Sequence, residues 1–127
     1  MASISIAEGK FAVYRTKDTS GANPVTEIIA ETDGGTCSLQ DSVGKIWIFR
    51  CYDGKLEYRK SSDVIGDSFG SWVEIIGADI SDGIPAALQY DTTVIEVDFY
   101  KTDDKFYRVL TKDYGNTWEA EEEIVTA

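Results

Sequence analysis

The chain has 127 residues, 43% of them hydrophobic and 28% charged, which suits one domain with a real core and is too little for two. Acidic residues outnumber basic ones 23 to 12, a formal net charge of −11, so the surface repels phosphate backbones and anionic lipid, and nucleic acid is not an expected partner. No segment approaches the roughly 18 apolar residues that cross a bilayer, so membrane insertion is not expected, and residues 1–6 lack the basic and apolar pattern of a signal peptide.

In chain order the sequence reads as short strands rich in Ile, Val, Tyr, Trp and Phe, separated by Gly and Asp turn signals. The first unit, residues 1–30, has strands at 3–6, 10–16 and 25–30, which correspond to the second, third and fourth strands of a unit whose first strand is not seen in the sequence and could be filled by a partner. The second unit, residues 31–79, has strands at 36–41, 45–51, 55–61 and 71–76. The third, residues 80–127, has them at 86–90, 93–100, 106–110 and 117–124. No window keeps a 3.6-residue apolar period, so helix is not expected.

The units repeat one another. Glu8-Gly9-Lys10-Phe11, Asp53-Gly54-Lys55-Leu56 and Asp103-Asp104-Lys105-Phe106 each give an acid, a turn former or second acid, a lysine and a large apolar residue. Ten residues after each start comes an aspartate (Asp18, Asp63, Asp113), preceded at two residues by a hydroxyl (Thr16, Ser61, Thr111). Asp33-Gly34 with Leu39-Gln40 recurs as Asp82-Gly83 with Leu88-Gln89 at nearly the same period.

Thr111-Lys112-Asp113-Tyr114-Gly115-Asn116-Thr117-Trp118 resembles the Asp-box (BNR) motif S/T-x-D-x-G-x-T-W of sialidase-type β-propellers at every defined position. The chemistry suits a tight turn: carboxylate and hydroxyl bond the turn backbone, Gly115 takes a positive φ, and the Trp118 indole packs on a sheet. The second unit keeps Ser61, Asp63 and Trp72 with a longer turn, and the first keeps Thr16 and Asp18, with Val25 in place of the Trp. The resemblance implies propeller-like four-stranded antiparallel blades, two complete and one partial, with the box residues in structural roles on the rim. A β-trefoil, closed within one chain, is the alternative architecture.

An open stack of such sheets leaves apolar end faces in water, and Ile46-Trp47-Ile48-Phe49 is apolar on both faces, as a doubly covered strand requires. The expected partners are therefore a second copy or other proteins of a particle. Cys37 and Cys51 flank the turn around Gly44, which would set them opposite one another, where a disulfide is permitted and two buried free thiols are the plainer expectation.

The chain has no histidine, which removes the Ser-His and Cys-His nucleophile arrangements, and it has no CxxC set or phosphate-binding glycine loop, so neither metal nor cofactor is expected. A sialidase would need an arginine cluster; here only Arg15, Arg50, Arg59 and Arg108 occur, and Ile48-Phe49-Arg50-Cys51 departs from the family's F/Y-R-I-P segment. The acidic run at 119–123 lacks the spacing of a calcium loop. Tyr52, Tyr90, Tyr100 and Tyr114 lie near turns and are candidates for stacking on sugar rings. The expected function is a non-enzymatic assembly and recognition module suited to a phage or other viral particle. A glycan-binding lectin and a degenerate glycoside hydrolase are the alternatives.

Overall fold

A computed structural model describes the backbone over residues 10–17, 25–33, 35–62 and 68–124, with side chains from residue 35 onward. β1 (Lys10–Lys17) and β2 (Val25–Asp33) form a two-stranded sheet. β3 (Gly35–Gln40), β4 (Ile46–Tyr52), β5 (Lys55–Lys60) and β6 (Val73–Ile76) form a four-stranded antiparallel meander. A second meander follows in β7 (Ala86–Asp91), β8 (Val94–Tyr100), β9 (Phe106–Thr111) and β10 (Glu122–Glu123). The chain is all-β, with no helix among the described residues. The sheets are separate and open, and the described strands form no barrel of the trefoil kind. The strand expected at 3–6 lies outside the described residues.

Turn chemistry sets the registers. Between β4 and β5, Asp53 and Gly54 both have positive φ (54° and 74°), the two-residue turn whose twist matches a hairpin. Between β3 and β4, and between β8 and β9, three-residue loops close with left-handed Gly44 (φ 96°) and Asp104 (φ 63°). The first of these loops corrects the cysteine expectation: Cys51 pairs with Gly35 and Cys37 with Phe49, so the cysteines are not opposed, and both thiols are free.

Strand alternation puts Trp47, Phe49 and Cys51 of β4 and Leu56 and Tyr58 of β5 on one face. Against it pack Ile95, Val97 and Phe99 of β8 and Val109 of β9, giving one core between the two meanders. Burying each large side chain contributes about 1.5–3 kcal/mol. The connection between the meanders adds Ile80 to this core and ties both hairpin ends, with Ile80 N–H bonding Gly54 O at 3.2 Å and Ser81 N–H bonding Tyr100 O at 3.0 Å.

The last strand is shorter than expected. Instead of 117–124, only Glu122–Glu123 is strand paired with β9; Asp113 takes both the amide and the hydroxyl of Thr117, Trp118 packs against the core, and Glu119 N–H makes a single bond to Leu110 O at 2.8 Å.

Candidate functional site

Residues Thr111–Trp118 close the seam between the meanders. Thr111 Oγ accepts from Gly115 N–H at 2.8 Å and donates to Asp113 Oδ1 at 2.9 Å. Asp113 accepts from Thr117 N–H at 2.8 Å and from Thr117 Oγ at 2.6 Å, and these bonds, Thr117's first, hold its carboxyl below the ordinary aspartate range. Tyr114 (φ 59°) and Gly115 (φ 87°) carry the chain through the turn. The turn then lies on the first meander: Trp118 meets Phe49 edge-on at 6.4 Å, and Tyr58 donates to Gly115 O at 3.2 Å.

Tyr114 belongs to this seam and not to the exposed surface expected of it. Its ring stands edge-on to Trp47 at 5.2 Å, and its hydroxyl donates to Asp41. Asp41 also receives the Trp47 indole at 2.8 Å and the amides of Val43 and Lys45, each at 3.0 Å. Burial works to raise the Asp41 pKa, but those donors together outweigh it and hold the carboxyl low.

In the second unit, buried Ser61 accepts from Ile46 N–H at 2.8 Å, and Trp72 lies against the guanidinium of Arg50, 3.9 Å from its ring. Asp63 and Asp18 lie outside the described residues, and Thr16 is described only as backbone paired with Thr26 in β1. Burial, the largest cause, pushes the Cys37 thiol up to about 12 and the Cys51 thiol to about 11.

The two meanders repeat in register. Shifting β3 and β4 by 49 and β5 by 50 carries the pairs Leu39↔Trp47 and Phe49↔Tyr58 onto Leu88↔Glu96 and Asp98↔Arg108. The face of the first meander that receives the second therefore corresponds to the face of the second that points away. On this outer face, Leu88, Tyr90 and Tyr100 are 49%, 61% and 57% exposed, and Phe106, the counterpart of Leu56, packs on Tyr100 at 4.7 Å. Tyr52 lies on the opposite side of the first meander over Arg50, so Tyr52 and Tyr100 do not form one row.

Where the first meander has Trp47, Phe49 and Tyr58, the outer face has Glu96, Asp98 and Arg108. Tyr90 donates to Glu96 at 2.8 Å, and Arg108 bonds Glu122 at 2.8 Å and reaches Glu96 at 3.9 Å. Burial first, and then its hydrogen bond and charge contact with Glu96, raise the Asp98 carboxyl to about 7. The bond from Asp98 is the largest influence on Glu96, whose pKa is lowered. One proton is thus shared, with Asp98 its main holder. Asp98 Oδ1 and Arg108 Nε are buried without a partner, an arrangement that costs about 1–3 kcal/mol per group. Asp41, Glu96, Asp98 and Arg108 escape motif reading; the signal for the outer pair is two acids two residues apart in a strand, which alternation places on one face.

A shallow cleft of about 280 Å3 lies where the β3–β4 and β7–β8 turns meet, lined by Ser42, Gln89, Tyr90, Asp91 and Thr92. Gln89 spans it weakly, its amide 3.4 Å from Ser42 Oγ and from Thr92 O. Among the described residues no group of three His, Cys, Asp or Glu side chains is placed to hold a metal ion, and no helix is long and apolar enough to cross a membrane. A scan against protein-family models and a search of curated proteins each gave no match.

Proposed function

We propose that the chain is a non-enzymatic assembly and recognition module of the Asp-box, propeller-like kind, which docks through the outer face of β7–β10 onto a second copy of itself. The observation that carries this is the register relation: the outer face repeats the surface that, one unit earlier, is covered by a sheet, yet it leaves Leu88, Tyr90 and Tyr100 exposed. Such apolar exposure on one sheet face is the mark of an interaction surface. A structural or host-attachment role in a phage or other viral particle fits a small acidic repeat unit that completes itself by association. Against a hydrolase reading, the Glu96 and Asp98 carboxyls are within hydrogen-bond contact, whereas glycoside cleavage uses a pair about 5 Å or more apart.

The test is a Lys112→Cys variant, at an exposed position just past β9, labelled with an environment-sensitive dye, since the native thiols are shielded. Titration with unlabelled chain is expected to give a saturable blue shift; a flat response contradicts docking at this face. A second reading, glycan recognition, draws on the polar cleft beside exposed Tyr90. Saturation-transfer NMR with neutral hexoses is expected to show transfer that Tyr90→Ala removes, and absence of transfer sets that reading aside.

A further inference from the structure

We infer that the cleft where the β3–β4 and β7–β8 turns meet takes a single uncharged hexose ring and rejects acidic sugars, with Asp91 setting that choice. The inference rests on the glycan reading above and names its ligand class and the residue that selects it.

The two turns have the same length between their flanking Gln and Ile pairs, yet the chain takes different paths through them. In the first meander the ladder runs on without a slip: Asp41 N–H bonds Lys45 O at 2.8 Å, and Asp41 is only 5% exposed. In the second, Gln89 pairs with Ile95 but Asp91 pairs with Val94, so Tyr90, at the position of Asp41, is the extra residue of a bulge and is 61% exposed. A bulge re-aims a side chain, and this one presents an aromatic ring where its counterpart is buried. The Tyr90 hydroxyl is already given to Glu96 at 2.8 Å, which holds the ring in place and leaves the ring itself as what Tyr90 offers a ligand.

The rest of the lining is polar and little used. The Gln89 amide makes only long contacts, 3.4 Å to Ser42 Oγ and 3.4 Å to Thr92 O, so a better acceptor would redirect it. Asp91 Oδ1 accepts the Thr92 amide at 2.7 Å, and the carboxylate keeps lone pairs for further donors. A ring beside a carboxylate and a carboxamide matches a pyranose: its C–H face lies on Tyr90, adjacent hydroxyls donate to Asp91, and another hydroxyl accepts from Gln89. The cleft of about 280 Å3 falls just below the roughly 300–1,000 Å3 of sites for drug-sized ligands, so it suits one ring, with any longer chain running out into solvent. None of the lining residues Ser42, Gln89, Tyr90, Asp91 and Thr92 is a cation, so a sugar carboxylate would meet Asp91 with nothing to pair it.

Amide-shift NMR of the isotope-labelled full chain tests this at about pH 7, where the sugar carboxylates and Asp91 are charged. The probes are the methyl glycosides of glucose, galactose and mannose, and those of glucuronic and galacturonic acid. Saturable shifts at Ser42, Gln89 and Thr92 are expected with a neutral sugar, and binding about tenfold weaker with the matching acid. Asp91→Asn keeps an acceptor for the Thr92 amide; it should weaken the neutral sugar by about fivefold and bring the two classes within about twofold of each other. Equal affinity for neutral and acidic sugars in wild type overturns the selectivity and leaves the glycan reading standing. An Asp91→Asn variant that keeps the wild-type preference overturns the role given to Asp91. No shift with any sugar, or shifts confined to residues away from the cleft, overturns this inference together with the glycan reading. If Asp91→Asn does not fold, the wild-type comparison still decides the selectivity.

Discussion

Tyr114 donates its hydroxyl to the carboxylate of Asp41, 73 residues earlier in the chain, and the same oxygen receives the Trp47 indole. One carboxylate thus ties a turn of the first meander to a buried tryptophan and to the closing turn of the second. Asp41→Ala leaves the Trp47 indole without its acceptor, and its cost is expected at about 2–4 kcal/mol in denaturant unfolding. Tyr114→Phe removes one bond and keeps the ring, so about 1 kcal/mol is expected.

The same carboxylate sets an acid limit. Its folded pKa lies below its unfolded value of 3.8, so its contribution is present above that pH and is lost as the pH falls through the lower folded value. Wild type is expected to lose stability more steeply below about pH 4 than Asp41→Asn does, measured by urea unfolding at a series of pH values.

Gly115→Ala carries two penalties. The position has φ 87°, and an added Cβ would lie 2.8 Å from Trp47 Cη2, a ring fixed by its own bond to Asp41. A loss of about 1–3 kcal/mol is expected in thermal or urea unfolding. At Gly54, with φ 74°, nothing lies within 4 Å of an added Cβ, so Gly54→Ala should cost only the backbone strain.

Much of the architecture was legible in the sequence, because hairpin signals and strand alternation are local: Asp53-Gly54 fixed one turn, and the repeat predicted two four-stranded units. The cysteine register was not legible. The three-residue loop is centred on Val43 and not on Gly44, and moving its centre by that one residue shifts each partner by two, which separates Cys37 opposite Phe49 from Cys37 opposite Cys51. The short final strand was hidden for another reason, since Asp113 competes with the ladder for Thr117. The outer face was invisible because it depends on which side of the meander receives its neighbour, which no local pattern encodes.

Burial holds both thiols in the uncharged form, so Cys37 and Cys51 should react slowly with a thiol-modifying disulfide reagent in the native state and fully after unfolding. Mild oxidation of the folded chain should leave two titratable thiols by mass spectrometry; a native intramolecular disulfide would contradict the register.

Asp98 acts opposite to Asp41. Its folded pKa of about 7 lies above its unfolded 3.8, so folding favours the protonated form. Stability is expected to fall as the pH rises from about 4 to about 7, and Asp98→Asn should flatten that slope. Thermal unfolding in dilute solution, across that range, is the check.

Light scattering across a concentration series tests whether the outer face of β7–β10 is an unfinished interface. The wild-type chain is expected to show a molar mass rising above that of one chain, and Leu88→Glu with Tyr100→Glu to hold it at one chain throughout. A wild-type mass that stays at one chain at every concentration would contradict the claim.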